Sequence, residues 1–362
     1  MAKNPPHTTT SRRKREHVEL VLKRDVAFRT KTSGFERWEF EHNALPELDF
    51  SEVDSSTTFL KKRLSMPLMV SCMTGGYGNA KSINKQLAEV CQELQIAMGV
   101  GSQRQALEDS SYHETFRVVR EAAPSIPLIG NLGAAEVARL TDVSPVERLV
   151  DMIHADAFAV HLNPLQEFLQ PEGNPNFRGV LKGIALLTSR LSVPVVAKEI
   201  GAGISASVAR RLVDAGVRII DVAGAGGTSW AGIEIMRGSN HESPKGKRVE
   251  SSGVHPGEAP FWDWGIPTAE SIQQVASLKS KTSGLVVIGS GGISNGVDIA
   301  KSLALGADLA AAARPFIQAL HRGGMQALRS LVSLWQRELR GAMFLVGARN
   351  ISQVQSVPLR RV

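Results

Sequence analysis

Short hydrophobic segments recur along the chain, and they set the first expectation about its fold. Each is a continuous apolar stretch rather than an alternation of apolar and polar positions, which is typical of strands buried on both faces. We identify eight of them: "PLMVSCMTGG" from Pro67, "IAMGVGSQR" from Ile96, "PLIGNLG" from Pro127, "AFAVHLN" from Ala157, "VPVVAKEIG" from Val193, "RIIDVAGAGG" from Arg218, "GLVVIGSGG" from Gly284 and "LAAAARPF" from Leu309. The pattern predicts eight buried parallel strands.

Amphipathic helices are predicted between these strands. In "KSINKQLAEVCQEL" the apolar residues fall on one helical face, namely Ile83, Leu87, Val90, Cys91 and Leu94. The segments "SVARRLVDAG" and "NGVDIAKSLALGAD" place a glycine shortly before the next strand, where helices commonly stop. Eight strand-then-helix units favour an α/β fold of the (β/α)8 TIM-barrel type, with a doubly wound sheet as the alternative.

The barrel is expected to span residues 67–317 of a single structural domain of the 362-residue chain. Residues 1–66 form a predicted N-terminal arm and extension, and residues 318–362 a C-terminal helical segment packed on the barrel. A long loop is predicted at 236–260, after the sixth strand, because this stretch is rich in Gly, Ser, Pro and charge. Such a loop could act as a lid or be a plain insertion.

Positive charge is concentrated at the N-terminus. The formal net charge is +7, and residues 1–31 contain nine Lys and Arg against three acidic residues. A basic arm can bind nucleic acid or lie over a small anionic molecule. The arm lacks interleaved aromatic side chains for base stacking, so we expect a small-molecule ligand and no nucleic-acid partner.

The two cysteines, Cys72 and Cys91, are too far apart in sequence for a CxxC motif, so neither a disulfide framework nor a zinc site is expected. Both lie in apolar surroundings and are predicted to be buried free thiols. The chain has no apolar run of membrane-spanning length and no signal-peptide pattern at its N-terminus. We therefore expect a cytoplasmic protein without a membrane partner.

Polar residues or glycines follow every predicted strand. Active sites in (β/α)8 barrels lie at these carboxyl ends, so the residues are candidates for one common site. They are Met73, Thr74, Gly75 and Gly76; Ser102, Gln103 and Arg104; Asn131; His161, Asn163, Gln166 and Glu167; Lys198 and Glu199; Gly226, Gly227 and Thr228; Gly291 and Gly292; and Ala313 and Arg314.

The turn "GSGGISNG" after the seventh strand opens a helix. Its backbone N–H groups and the helix dipole favour a phosphate, and phosphate sites in this fold commonly follow strands seven and eight. Lys198 ends the fifth strand, where it could form a Schiff base or hold an anionic cofactor edge.

Two residues of the fourth unit have competing interpretations. Glu167 is a single carboxylate, which suits a magnesium ion shared with substrate phosphates but could also cap a helix start. His161 alone would be a core histidine, whereas its neighbours Asn163 and Gln166 favour a ligand-facing role.

Taken together, the chain resembles the type 2, FMN-dependent isopentenyl-diphosphate delta-isomerases from about Arg12 to Gln353. The ordered set of matching segments is specific, although each is unspecific by itself. The segments are "RRKREHVEL", "MTGG", "GSQR", "NLG", "HLNPLQE", "AKEIGAGIS", "GAGGTSW", "DWGIPTAES" and "GGISNGVDIAKSLALGAD".

The resemblance implies roles for the strand-end residues. FMN would be bound by Met73, Thr74, Gly75, Ser102, Asn131, Lys198, Thr228, Gly291, Gly292, Ile293, Ala313 and Arg314. Isopentenyl diphosphate would be bound by Arg13, Lys14, Ser102, Gln103, Arg104, His161, Asn163 and Gln166. Gln166 and His161 would support catalysis, Glu167 would bind Mg²⁺, and NADPH would reduce the flavin. A homo-oligomer, either a tetramer or an octamer, is implied as well.

The chain offers no obvious pair of acidic side chains for the isomerisation, so reduced FMN is the expected acid/base catalyst. The sequence departs from the family pattern at Ser294, where an arginine is usual, and at Ala311–Ala313 and Ala223. The rival functions are an FMN-dependent oxidoreductase of the 2-hydroxy acid oxidase type and a non-catalytic flavin- or RNA-binding protein.

Overall fold

The computed structural model describes residues 9–240 and 259–362. Twelve strands occur in this part of the chain: β1 Trp38–Phe40, β2 Thr57–Phe59, β3 Lys62–Leu64, β4 Leu68–Val70, β5 Ala97–Gly99, β6 Leu128–Gly133, β7 Ala157–Leu162, β8 Val195–Glu199, β9 Ile219–Asp221, β10 Val286–Ser290, β11 Leu309–Ala312 and β12 Leu359–Arg361. The eight strands β4–β11 coincide with the eight predicted hydrophobic segments, which confirms that prediction.

Strands β4–β11 form a closed barrel in chain order, and β11 pairs with β4 to close it. Every pairing in the barrel is parallel, with Ala311 opposite Met69 at the closing seam. The interior is filled mainly by small and branched side chains: Met69, Ala97, Ile129, Ala157, Ala159, Val196, Ile219, Ile288, Leu309 and Ala311. The antiparallel pair β2–β3 adds Phe59 and Leu64 to this same buried cluster.

The helices of the described residues are α1 Thr9–Lys23, α2 Ala80–Glu93, α3 Arg104–Glu108, α4 Glu114–Ala122, α5 Ala134–Val137, α6 Ser144–Ile153, α7 Pro164–Leu169, α8 Val180–Arg190, α9 Ala206–Asp214, α10 Trp230–Asn240, α11 Thr268–Ala276, α12 Gly296–Ala304, α13 Arg314–Leu345 and α14 Ile351–Ser356. Short 3-10 helices occur at Phe35–Arg37, Phe50–Glu52, Ser110–Tyr112, Ala259–Phe261 and Lys279–Lys281. On α2, the predicted apolar face packs into the core, with Leu87, Val90 and Cys91 fully buried.

The predicted basic arm contains helix α1. Two boundaries differ from the sequence analysis. The C-terminal helix begins at Arg314 rather than at residue 318. The loop predicted at 236–260 starts later than predicted, because α10 continues to Asn240. Arg237 stabilises this last turn through ion pairs with Glu16, Glu172 and Glu234. Residues 241–258 of that loop lie outside the described residues.

Outside the barrel, β12 near the C-terminus pairs antiparallel with β1. Helix α13 bends at Gly323 and Gly324, whose backbone angles are not helical. None of the helices in the described ranges has both the length and the apolar character needed to cross a membrane.

Phe158 provides a test of the barrel core. It is fully buried on β7, so Phe158→Ala should lower the free energy of unfolding by about 3–5 kcal/mol. Phe168 is 60% exposed, and Phe168→Ala should cost about 1 kcal/mol or less. Urea unfolding followed by circular dichroism at one protein concentration measures both. Equal losses would contradict the assignment of Phe158 to the core.

Candidate functional site

A cavity of about 640 Å³ opens at the carboxyl ends of the barrel strands, between the barrel and helices α1 and α13. It brings together nearly all of the residues predicted from the strand ends. These are Arg13, Lys14, Met73, Thr74, Gly75, Ser102, Arg104, Asn131, His161, Asn163, Gln166, Glu167, Lys198, Thr228, Gly291, Gly292, Ile293, Ala313 and Arg314. Of the strand-end candidates, Gly76, Gln103 and Glu199 are missing from the cavity lining.

The glycine turn after β10 has the geometry of an anion cradle. Gly291 and Gly292 have φ of 104° and 74°, in the left-handed region that glycine tolerates. A Cβ on Gly292 would lie 2.8 Å from the carbonyl oxygen of Gly226. Within the described ranges, the N–H groups of Gly292 and Ile293 have no recorded protein acceptor, so they are available to a phosphate.

Ser294 does not extend this cradle with its side chain. Its hydroxyl donates to Asp298 Oδ2 at 2.8 Å, and its backbone N–H donates to the same oxygen at 3.0 Å. The Asn295 side chain caps α12 by accepting from Asp298 N at 2.8 Å. Ser294 therefore stabilises the start of α12 rather than offering a positive charge to a ligand.

Arg314, at the start of α13, is the charged residue beside the glycine turn. Its Nε is buried and has no hydrogen-bond partner among the described residues. Its closest recorded carboxylate belongs to the exposed Asp25, 3.7 Å from Nη2. A buried guanidinium N–H without an acceptor is costly, which suits a ligand anion at this position.

Lys198 is held by a buried ion pair. Its Nζ lies 2.8 Å from Asp221 Oδ2, and Lys198 is 7% exposed while Asp221 is fully buried. Ser290 also donates a hydrogen bond to Asp221. Because the Lys198 side chain is held in this ion pair, the structure favours the electrostatic interpretation of Lys198 over the Schiff-base interpretation.

Helix α1 brings two of its basic residues to the cavity. Lys14 Nζ donates to the carbonyl oxygens of Gly75 at 2.9 Å and Ser102 at 2.6 Å. Burial, followed by the charge of Arg13, lowers the pKa of Lys14 to about 7. Lys14 can therefore gain or lose its charge near neutral pH.

Arg104 is already paired on the opposite wall. It lies 2.8 Å from a carboxylate oxygen of Glu108 and 3.0 Å from one of Glu136. Burial raises the pKa of Glu136. The charge of Arg104 partly offsets this rise, whereas the charge of Glu167 adds to it. These acids hold the guanidinium at the cavity edge.

His161 is a neutral side chain in this site. Burial, followed by the charges of Lys198, Lys14 and Arg13, lowers its pKa to about 3. Its Nδ1 lies 2.8 Å from Asn131 Oδ1. Because no acidic side chain in the described part of the chain pairs with it, the imidazole acts as a hydrogen-bonding group rather than as a cation.

The segment after β7 forms a polar chain. Asn163 Nδ2 donates to Gln166 Oε1 and to Glu167 Oε1, both at 3.0 Å. The other carboxylate oxygen of Glu167 accepts from Asn174 N at 2.7 Å. Asn163 Oδ1 is buried and lacks a hydrogen-bond partner in the described part of the chain.

Behind Gln166 lies a charged cluster that sequence reasoning missed. Gln166 Nε2 donates to Glu234 Oε1 at 2.8 Å, and His17 Nε2 lies 2.9 Å from the same oxygen. Burial alone would raise the pKa of Glu234. The hydrogen bond and charge of His17, together with the charge of Arg237, have the larger opposite effect, and the pKa of Glu234 is lowered to about 2. His17 lines the cavity. It follows Arg13 by four residues, so on a helix the two side chains lie on the same face, and this spacing could have identified His17 as a site residue.

Gln103 does not reach the cavity and so does not fit its predicted role as a substrate ligand. It is fully buried. Its side chain accepts from Asn131 N at 3.0 Å and donates to the carbonyl oxygen of Leu149 at 3.1 Å. Both ends of the amide are used inside the protein, because the residue turns toward the helix layer rather than toward the barrel mouth.

Cys72 and Cys91 are free thiols; Cys91 is buried as predicted, whereas Cys72 is only partly buried. Burial raises the pKa of Cys72 to about 12 and also raises the pKa of Cys91, so neither is a ready thiolate. Across residues 9–240 and 259–362, the structure brings no three His, Cys, Asp or Glu side chains together as a metal site.

Comparison with known proteins first defines the class of this barrel. The family model for FMN-dependent dehydrogenases matches residues 7–120 and 156–361. Solved structures with a similar fold include a lactate oxidase from Pediococcus acidilactici, with a TM-score of 0.67, 17% identity and coverage of 97% of this chain and 94% of that one. A mandelate oxidase crystallised with (S)-2-phenylpropionate has a TM-score of 0.64 and 19% identity over 96% of this chain and 94% of that chain. These structures share the fold of the chain.

Curated relatives then define the family more narrowly. The isopentenyl-diphosphate delta-isomerase of Chlorobaculum parvum is 47% identical over 357 residues, which cover 98% of both chains. The protein of the same name from Nostoc sp. is 43% identical over 97% of both chains. The chain therefore belongs to the isopentenyl-diphosphate delta-isomerase family, within the FMN-dependent dehydrogenase class.

Lys14 should make anion binding depend on pH. Since its pKa is about 7, ligand-free Lys14 becomes neutral as the pH rises above that value, and an anion must then bind together with a proton. The affinity for inorganic diphosphate should therefore fall by up to about tenfold per pH unit above the pKa. Isothermal titration calorimetry across this pH range measures the effect.

Lys14→Arg is the matched control, because arginine stays charged throughout. Its diphosphate affinity should change with pH only as far as the titration of diphosphate itself requires. The same pH slope in the wild type and in Lys14→Arg would show that Lys14 does not titrate in this range.

Proposed function

We propose that the protein isomerises isopentenyl diphosphate to dimethylallyl diphosphate, with FMN bound across the barrel mouth. The observation that carries this proposal is one cavity whose lining contains two groups of residues suited to anions, each called a region below. The glycine turn and Arg314 form the first region, and the α1 residues with Arg104 form the second. The names of relatives 43–47% identical over nearly the full chain support the same reaction.

The first region fits FMN. The free N–H groups of Gly292 and Ile293 and the unpartnered Arg314 Nε would hold its phosphate. The Lys198 ammonium, fixed by Asp221, would lie beside the flavin ring, while Met73, Thr74, Gly75, Ser102, Asn131, Gly291, Thr228 and Ala313 would line its ring and ribityl chain. When bound and reduced by NADPH, FMN supplies ring nitrogens that can accept and return a proton.

The second region fits a diphosphate. Arg13 and Lys14 come from α1, Ser102 comes from the loop after β5, and Arg104 is the first residue of α3. Arginine offers forked donors and lysine a compact charge, which together suit a diphosphate group. The hydrogen bonds of Lys14 to Gly75 O and Ser102 O place its ammonium between the two regions.

Glu167 would hold Mg²⁺ together with the substrate phosphates. Its carboxylate is anchored by Asn163 and by the Asn174 backbone. The unpartnered oxygen of Asn163 is a further hard oxygen beside it. Magnesium prefers such oxygen ligands and keeps few protein ligands when phosphates complete its shell.

Gln166 and His161 would orient the reacting part of the substrate. Both are uncharged, since His161 has a pKa of about 3. Gln166 is held in place by Asn163 on one side and by Glu234 on the other. Fixed neutral groups of this kind position a substrate and exclude water without adding a competing charge.

A 2-hydroxy acid oxidase remains the second candidate, because mandelate and lactate oxidases share the fold. That chemistry requires a basic histidine and arginines that bind a carboxylate. Here the pKa of His161 is about 3, so its imidazole is a weak base, and its unit carries the amide chain of Asn163 and Gln166 instead. The site therefore favours the isomerase.

Anaerobic turnover tests the proposed function. Purified protein with FMN, Mg²⁺ and a small amount of NADPH should convert isopentenyl diphosphate to dimethylallyl diphosphate, detected by mass spectrometry after dephosphorylation and chromatography. Many product molecules should form per NADPH oxidised. Stoichiometric NADPH loss with a second substrate, or oxidation of a 2-hydroxy acid without isomerisation, would support the oxidase instead.

Gly292→Ala tests the phosphate cradle. The added Cβ would clash with Gly226 O at 2.8 Å in a residue with φ of 74°, so FMN affinity should fall about tenfold or more. Flavin fluorescence titration measures it. Gly284→Ala is the control, because Gly284 has a φ of 73° but has nothing within 4 Å of the added Cβ. Equal FMN affinity of both variants would show that the glycine turn does not bind the FMN phosphate.

Glu167→Gln tests the magnesium site. The amide keeps the shape of the side chain but loses the charge that attracts the cation. The Mg²⁺ concentration for half-maximal activity should rise by about tenfold or more, whereas FMN affinity should not change. Glu108→Gln, on the outer side of Arg104, serves as a charge-matched control. An unchanged Mg²⁺ dependence of activity in Glu167→Gln would show that Glu167 is not a Mg²⁺ ligand.

A further inference from the structure

Gln103 is a buried amide with a complete set of partners. Its backbone N–H donates to Asn131 O at 2.8 Å, and its side-chain oxygen accepts from Asn131 N at 3.0 Å. Its side-chain nitrogen donates to Leu149 O at 3.1 Å. Because a backbone carbonyl can only accept, the Leu149 contact fixes which end of the amide faces Asn131. Gln103 thus clamps the backbone of Asn131 on both sides.

The orientation of the Asn131 side chain is fixed by the same logic. Its Nδ2 donates to the backbone carbonyl of Val100 at 3.2 Å. Turning the amide over would place two oxygens against each other, so Oδ1 must face His161. Asn131 is 4% exposed, so little of its side chain is open to solvent that could compensate for the reversed arrangement.

The proton on His161 follows from this chain of contacts. Asn131 Oδ1 is an acceptor 2.8 Å from His161 Nδ1, so the imidazole must carry its proton on Nδ1. Nε2 then has a free lone pair and no recorded hydrogen-bond partner in the described residues. We propose that Gln103 is a positioning residue that, through Asn131, fixes the proton of His161 on Nδ1 and presents Nε2 as a hydrogen-bond acceptor in the cavity.

The charged groups around His161 support a single neutral form. Lys198 of β8 and Lys14 and Arg13 of α1 all disfavour a second proton on the ring. Glu136 of α5 is the acidic group nearby, and it is paired with Arg104. His161 therefore has two neutral tautomers to choose between, and the Gln103–Asn131 pair selects one.

Nitrogen NMR of protein labelled with ¹⁵N-histidine tests the proposal without cofactor or substrate. The chain has nine histidines, and the spectrum of His161→Gln assigns the resonances of His161 by their disappearance. The wild type should show a protonated Nδ1 and an unprotonated Nε2. Gln103→Met, similar in size but unable to make either side-chain hydrogen bond, should show a mixture of both tautomers.

Two further variants separate positioning from general structural damage. In Gln103→Glu, burial favours the neutral acid, which can still accept from Asn131 N and donate to Leu149 O, so the wild-type tautomer should return. Gln105→Met replaces another fully buried glutamine, which does not line the cavity. It should lower stability but leave the His161 resonances unchanged.

The kinetic arm rests on the proposed isomerase function. Gln103→Met should lower kcat/KM for isopentenyl diphosphate by about tenfold, the effect of one misplaced buried hydrogen bond, and Gln103→Glu should restore most of it. A pure Nδ1–H tautomer in a folded Gln103→Met variant would overturn the positioning role. If that variant fails to fold, a wild-type spectrum with the proton on Nε2, or on both nitrogens, would overturn it. If the wild type shows the Nδ1–H tautomer and Gln103→Met shows the mixture, but the wild type has no isomerase activity, only the proposed function is rejected.

Discussion

The pairing of the first and last barrel strands, β4 and β11, is the contact on which the site depends. Leu68–Val70 lie in register with Ala310–Ala312, and Ser71 N extends the ladder by donating to Ala312 O at 2.8 Å. Closure leaves no free strand edge and sets the carboxyl ends of all eight strands around one cavity.

The cavity contains cations that lack full charge compensation within the protein, and anionic ligands would supply it. Lys198 and Glu234 are buried but paired, with Asp221 and with His17 and Arg237 respectively, because an unpaired buried charge is costly. Arg314 is less well compensated, and Lys14 reaches only carbonyl oxygens. The protein thus places its weakly compensated cations where two anions are proposed to bind.

The sequence predicted the barrel and most of the cavity because both follow from local patterns. Continuous apolar runs mark buried strands, and the fold places residues such as Asn131 and Lys198 at a common rim. It could not show that Gln103 turns away from the cavity, because that depends on the packing of Leu149, a residue 46 positions away in the chain. Glu234 was missed for the same reason, since its role depends on contacts with His17 and Gln166.

The central claim is that one cavity holds two anions at separate places. Equilibrium dialysis of FMN and inorganic diphosphate, alone and together, tests it most directly. The account predicts that each binds once per chain and that saturating diphosphate does not release FMN. Displacement of FMN by diphosphate in simple competition would show that the glycine turn and the basic arm serve a single anion, which would contradict the account.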